Sequence, residues 1–416
     1  MSIAQGDEPT AKPAARGTFA ALYYRNYRTF WYGNAVSFTG DWLDQVALNW
    51  LVISTTGNPA MLGLVNLGRG LPMVFFTILG GAVADRVDRR RLLLWTQLAA
   101  MLVATALALT VAFLDASIWV LLALATARGI VTAFNLPARH ALMYHLVPHE
   151  AMGSAVALNS ITVNMAKIAG PLAAAGIIAG FGITVCFIVN AASFILVMAM
   201  TMLLDLPRHT APARQQRLVS TMVEGVDYLR RDRVMLMLVA VALVPTFFCL
   251  PYLQFLAVFA AQVFHAGPEG LGIMTALAAG GSICGGLLAA WLQRESRTGR
   301  MMLIFMGVFG LSLVAFAFAP SIHVGLPLLF CAGAMQLAYN SSNTAILQLR
   351  VDDAYRGRVL STLFMTRGLM PVGTALMAVV ATVIGPRWAL GSMSLIVVVF
   401  TAALWLFAPA LRRLKV

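Results

Sequence analysis

Twelve runs of mostly apolar residues, each long enough to cross a bilayer, leave this chain almost nothing from which to build a water-facing surface. A hydrocarbon core of about 30 Å asks for roughly 20 such residues in helical form. Runs of that kind cover residues 30–54, 61–84, 93–113, 117–140, 150–179, 182–204, 234–263, 269–292, 301–320, 323–349, 357–384 and 388–410. With 60% hydrophobic and 11% charged residues among 416, and a mean hydropathy of +0.83, the chain lies far from soluble averages. It reads as an integral membrane protein. The first run lacks a convincing cleavage site and reads as an uncleaved helix.

Charge in the connections orients the runs. Most of the 29 lysines and arginines fall in one alternating set of connections: the amino-terminal segment, the turn after the second run, Arg139, the central segment, Arg294–Arg300, Arg350–Arg358 and the carboxyl terminus. The positive-inside rule then predicts that both termini face the cytoplasm. The net charge of +13 is thereby loop charge, with no continuous groove for nucleic acid, and no lysine sits in a phosphate-cradling loop. Cys186, Cys249, Cys284 and Cys331 all lie in apolar runs and read as packing residues. His140, His145 and His149 cluster without a carboxylate or cysteine at metal spacing and read as water-exposed. No cofactor or metal is expected, and an enzyme is not.

The central connection, Asp205 to Arg233, is the one long connection, and it divides the runs six from six. The expected segments are a cytoplasmic start 1–29, a six-helix bundle 30–204, a linker 205–233, a second bundle 234–411 and a tail 412–416. In the linker, Leu218, Val219, Met222, Val223, Val226 and Leu229 recur at helical spacing opposite Glu224, Asp227 and Arg230. That pattern predicts an amphipathic helix along the inner membrane surface. An internal repeat supports the division: Gly81 and Arg89 recur as Gly286 and Arg294, and Phe134-Asn135 as Tyr339-Asn340, all 205 positions on.

The informative residues are charges within the runs, each costing about 2.5–3.5 kcal/mol at mid-bilayer unless it meets a partner or a watery cavity. Asp41 and Asp44 share one face of the first helix, and Gln45 and Asn49 extend a polar stripe beyond them. Two nearby desolvated carboxylates do not both ionise easily. Either one carries protons, or cations such as Arg69 hold both ionised. Arg69 and Asp44 lie at similar depth in straight helices. Arg128, Lys167 and Arg367 complete the set, with Arg69 giving four cations against two anions, a balance that favours an anionic or carboxylate-bearing solute.

The turn Gly80-Gly81-Ala82-Val83-Ala84-Asp85-Arg86-Val87-Asp88-Arg89-Arg90-Arg91 carries the spacing Gly81, Asp85, Arg86, Arg89, Arg90. This resembles the loop signature of the major facilitator superfamily, in which the loop latches the two halves. Asp88 stands where the family pattern has a glycine, so a left-handed turn is expected there, open to Asp at modest cost. The fourth run, with Arg128 ahead of Phe134-Asn135-Leu136-Pro137, resembles the pattern whose arginine the family associates with proton relay. Gly170-Pro171 in the fifth run resembles the motif of the family's exporters, with Ala174 and Ala175 where a later glycine pair usually stands. Tyr24-Arg25-Asn26-Tyr27-Arg28 and the run from Gly40 to Val52 look like the bacterial enterobactin-exporter and macrolide-efflux subfamily.

The resemblance implies twelve transmembrane helices in two pseudo-symmetric six-helix bundles, an all-α membrane protein of the bacterial inner membrane, monomeric. It implies a proton-coupled exporter of a siderophore or drug, with Asp41, Asp44 and Arg128 in proton coupling. Gln45, Asn49, Arg69, Lys167 and Arg367 are expected in the substrate cavity. Import of the solute, or lipid flipping by the same fold, are the alternatives.

Overall fold

The computed structural model describes residues 17, 19–114, 116–204, 232–292, 298–352 and 367–414, without the side chains of Ile78, Asp85 and Arg367. The chain is helical throughout these residues. The amphipathic helix expected in the linker lies outside them.

In the first half the helices are α1 (Arg25–Thr56), α2 (Pro59–Arg86), α3 (Arg89–Phe113), α4 (Ile118–Met143), α5 (Met152–Phe181) and α6 (Ile183–Met202). The second half contributes α7 (Arg233–Phe248), α8 (Tyr252–Val258), α9 (Gly267–Leu292), α10 (Thr298–Ala317), α11 (Ile322–Arg350), α12 (Met370–Ile384), α13 (Pro386–Phe407) and the short α14 (Pro409–Arg412). Local chemistry fixes the ends. Gly57 stops α1 with φ of 59°, the left-handed conformation glycine adopts without a Cβ penalty. Asn58 then caps α2 by accepting the Ala60 amide at 2.9 Å, with Pro59 in the first turn.

Two expectations change on inspection. Asp88 is not left-handed: at φ −54° it caps α3, accepting the Arg91 amide at 2.8 Å, so a carboxylate replaces the glycine with a gain in helix start. The run 234–263 is not one unbroken helix. Pro245 and Pro251 remove two amide donors, α7 ends at Phe248, and the chain restarts at Tyr252 before a π-helical turn at Phe259–Val263.

Ten helical segments among the described residues are long and apolar enough to span a membrane, making this a multi-pass membrane protein. Two expected spans fall short for different reasons. The polar stripe of α1 lowers its hydropathy, and α12 is described only from Met370.

Packing repeats between halves. In the first, α1 lies on α5 and α6, α2 on α4, and α3 on α4 and α6. In the second, α7 lies on α12 and α13, α9 on α11, and α10 on α11 and α13. Gly80 of α2 packs on the Ala133 carbonyl of α4, and Gly285 of α9, 205 positions on, packs on the Ala334 carbonyl of α11. A Cβ at either position would strike backbone, so both seams need glycine. The halves join along α2 with α12 and α5 with α9. Gly63 and Gly70 lie against Ala378 and Pro371 in one seam, and Gly272 lies against Pro171 and Ala175 in the other.

The two cores differ in kind. The second half is built on rings: Phe259 and Phe316 at 4.9 Å between centroids, Phe309 stacked on Tyr339 at 5.8 Å. The first half is held at its centre by ions.

Candidate functional site: the charged centre and the seam between halves

Asp41 and Asp44, one turn apart on α1, reach different partners. Asp44 Oδ2 accepts from Arg69 Nη1 of α2 at 3.0 Å, and the side chains are 2% and 17% exposed respectively. Asp41 Oδ1 takes the guanidinium of Arg128 on α4. Its side chain keeps 30% exposure while that of Arg128 is 8% exposed. Arg128 also lies over the Phe194 ring of α6, 4.8 Å from its centroid, so one guanidinium ties α4 to both α1 and α6. The adjacent Gly129 packs on the backbone of Arg69, bringing the two cationic helices together.

Arg139, expected in a connection, is instead buried near the end of α4. It donates to Ser37 Oγ at 2.9 Å and lies over Phe38, 4.6 Å from the ring centroid. Ser37 is one turn before Asp41, so the first half stacks three guanidinium groups along the face of α1 that carries two carboxylates. Its own run reaches residue 140, and α4 continues through Pro137, which is tolerated in a membrane helix, as far as Met143.

Gln45 and Asn49, expected in a solute cavity, belong to a cluster of four amides with Asn66 of α2 and Gln254 of α8. Gln45 Nε2 lies 3.1 Å from the side-chain oxygens of Asn49, Asn66 and Gln254. Asn49 Nδ2 donates to Gln254 Oε1 at 2.6 Å. Asn66 and Gln254 had not been singled out, yet Gln254 lies 205 residues beyond Asn49, at the repeat offset.

Lys167 is half-buried on α5, and the Arg367 side chain lies outside the described residues. Gly170 meets α1 directly: a Cβ there would lie 2.6 Å from Trp42 Cβ and 2.8 Å from the Thr39 carbonyl. The Gly170-Pro171 pair therefore sits between α1, carrying the aspartates, and α9 of the other half.

At the opposite end of α2, Gly81 has open space around it, and the Asp85 side chain lies outside the described residues. Arg86 is exposed. Arg89 meets His145 Nε2 in the α4–α5 connection, and Arg90 donates to the Met202 carbonyl at the end of α6, where a cation offsets the helix dipole. His140, His145 and His149 are exposed, and no metal-holding group of three occurs among the described residues. Of the four free cysteines, Cys186 and Cys249 are buried, Cys331 is intermediate and Cys284 is exposed on α9, against the expectation that all four pack inside.

Two similarly packed sets of helices, meeting along polar and small-residue seams with ion pairs at bilayer depth, define a membrane transporter. Residues 16–415 match the transmembrane secretion effector family, and the chain belongs to that family of the major facilitator superfamily. It is 28% identical to the staphyloferrin A transporter of Staphylococcus aureus over 86% of this chain and 89% of that one. It is 24% identical to macrolide efflux protein A of Streptococcus pyogenes over 90% and 95%. Among solved structures, a bacterial homologue of the human lysosomal transporter Spinster, inward-facing and unoccupied, superposes with a TM-score of 0.75 at 15% identity, covering 97% of this chain and 98% of that one. The chain is a major facilitator transporter, similar over most of its length to a siderophore transporter and to a macrolide efflux protein.

Proposed function

We propose that this protein is a proton-coupled exporter of a bulky amphipathic or anionic small molecule, working by alternating access in the bacterial inner membrane. The observation that carries it is the unequal exposure of two aspartates on one helix. Asp44 is sealed against Arg69 and holds α1 to α2, whereas Asp41 keeps 30% exposure beside Arg128. A carboxylate at bilayer depth that water still reaches can take a proton from solvent; a sealed one cannot do so without unpacking.

Solute enters from the arginine-rich end while Asp41 is ionised and paired with Arg128. After release on the far side, a proton from outside neutralises Asp41 and the halves return. Protonation leaves Arg128 without its counter-charge in a medium that penalises a lone guanidinium, so the two protonation states favour different arrangements of α1 and α4. Each proton moving down 100 mV contributes about 2.3 kcal/mol. The surplus of guanidinium over carboxylate favours a carboxylate-bearing solute, and the relatives' names, a siderophore transporter and an efflux protein, support transport of a bulky small molecule.

The chain contributes twelve spans, six in 30–204 and six in 234–411, and acts as a monomer. Its arginine-rich end and both termini face the cytoplasm. Orientation is tested with single cysteines in a cysteine-free chain: Tyr144→Cys at the arginine end labels with impermeant maleimide in inverted vesicles, and Thr55→Cys only in intact cells. The reverse pattern overturns it. Coupling is tested with staphyloferrin A and erythromycin in inverted vesicles: proton-stimulated uptake disappears in Asp41→Asn and is retained by Asp41→Glu. Undiminished stimulated uptake in Asp41→Asn overturns the role of Asp41, and loss of the solute from vesicles in place of uptake overturns export.

A further inference from the structure

Two hydrogen bonds join residues that stand in the same place in the two halves. Asn49 of α1 donates to Gln254 of α8 at 2.6 Å, and Gln262 Nε2 donates to the Gly57 carbonyl at 2.7 Å; both pairs are 205 residues apart. That number is also the offset of Gly80 and Gly285, which pack alike in their own halves. Positions related by a two-fold rotation touch only where both lie beside the axis. The approximate two-fold between the halves therefore passes through the amide cluster and the Gly57 turn, at the end of the bundle away from the arginine-rich turn.

The cluster is unequal in build. On the first half, Gln45 donates to Asn49 and Asn66 at 3.1 Å each, Asn66 donates to Asn49 at 3.0 Å and also to the Leu62 carbonyl at 3.0 Å. Those bonds need nothing from the second half. Gln254 enters this ready-made triangle with one oxygen, which accepts from both Asn49 and Gln45. Pro251 interrupts the helix one turn earlier, so the segment bearing Gln254 is a short piece between the Pro251 break and the π-helical turn.

We infer that Gln254 is the bolt that holds the two halves closed at this end, and that its withdrawal from the Gln45–Asn49–Asn66 triangle is the step that opens it. The chemistry suits a reversible closure. Neutral amides exchange their bonds for water when the seam opens, so each crossing bond biases the equilibrium modestly and does not trap it. The cluster holds no titrating side chain, and the nearest ion pair to it, Asp44 with Arg69, has its carboxylate sealed. Closure strength is then set apart from the proton-responsive pair of Asp41 and Arg128. This inference rests on the arrangement of the halves and not on proton coupling, and it survives if Asp41 carries no proton.

The test uses spin labels at Thr55 and Glu269, exposed positions on opposite halves near this end, in a full-length chain whose four cysteines are replaced by alanine. Distances are measured in lipid nanodiscs without solute or gradient. Loss of two crossing bonds in Gln254→Ala is expected to raise the ratio of separated to closed populations about tenfold. Gln254→Asn keeps the amide but is one methylene too short to reach both donors, and is expected to behave like the alanine variant while folding conservatively. Asn66→Ala, which removes a wall of the triangle and no crossing bond, is expected to move the ratio far less. The inference is overturned if folded Gln254→Asn keeps the closed distance distribution of the unaltered chain, or if Asn66→Ala opens the end as much as the Gln254 variants.

Discussion

Neutralising Asp44 separates a structural ion pair from a working one. In Asp44→Asn the Arg69 guanidinium loses its carboxylate partner at 3.0 Å while remaining 83% shielded, its side chain being 17% exposed. Removing one partner of a buried pair costs about 3–5 kcal/mol, because the remaining charge is left uncompensated. The partial exposure of Arg69 puts the expectation near the lower figure, about 3 kcal/mol. Replacing both residues in Asp44→Asn with Arg69→Gln removes the stranded charge and leaves two amides able to bond. The double variant is expected to recover to within about 1 kcal/mol of the unaltered chain. Arg69→Gln alone strands the sealed Asp44 carboxylate at a cost of at least about 3 kcal/mol. The coupling in the cycle is then about 5 kcal/mol, well beyond additivity for independent sites. The measurement is reversible unfolding in mixed dodecyl maltoside and dodecyl sulfate micelles, followed by tryptophan emission. A single variant as stable as the parent, or a double variant no better than the single, refutes the view that Asp44 pins α1 to α2. Asp41→Asn strands the more shielded Arg128, 8% exposed and left with the Phe194 ring, so its stability cost is expected to be at least as large, and what separates the two pairs is the proton-stimulated uptake assigned to Asp41.

Two further outcomes follow from contacts elsewhere. Gly170→Leu forces a side chain against Trp42 and the Thr39 carbonyl, and is expected to destabilise the first half by about 1–3 kcal/mol and abolish transport, measured by the same unfolding assay and by vesicle uptake. Asp232, at the start of α7, accepts from the Val234 amide and from Arg350 at the end of α11. Partial burial works against its ionisation, but those donors outweigh it and hold the carboxyl below its ordinary value. A carboxyl lower in the folded than in the unfolded state contributes stability above the ordinary carboxylate range and loses it as pH falls through the folded value. Asp232→Asn is therefore expected to be less stable than the parent at pH 7 and to converge with it in acid.

Much of this arrangement was legible in the sequence because bilayer physics is strict. Runs of 20 apolar residues, arginines in alternate connections and an offset of 205 led to helices, a division into halves and a repeat. Asp44 and Arg69 were placed at one depth by helix rise alone. What sequence did not yield was anything decided by rotation or by a cooperating residue far along the chain. Arg139 was counted with the connections although its run extends to residue 140, because a basic residue at a run's inner end reads as loop charge; the helix continues past it. Gln45 and Asn49 were read as substrate-cavity residues, since a polar stripe reveals a face but not the neighbours that meet it. Gln254, which meets it, looked like one polar residue in an apolar run. Applying the offset to Asn49 would have singled it out.

The same offset exposes how far the halves have parted. Adding 205 to Asp41, Asp44, Arg69, Arg128 and Arg139 leads to Thr246, Cys249, Met274, Gly333 and Thr344, so each of these five charges answers to a neutral residue in the second half. Around those neutral positions the second half packs aromatic rings, with Tyr252, Phe255, Phe259, Phe309 and Phe316 fully buried. An apolar core of that kind has no group whose charge state could alter its shape, whereas the ionic centre of the first half does. A rocking motion between them thus has one responsive partner and one rigid one, and the amides on their shared axis carry the contact. On this view, introducing an ion pair at the equivalent sites, Cys249→Asp with Met274→Arg, adds charge to a core packed with aromatic rings. It is expected to cost stability through desolvation while leaving the pH dependence of transport unchanged. A transport profile shifted by that pair as strongly as by Asp41→Glu would mean that the halves share the work of responding to protons.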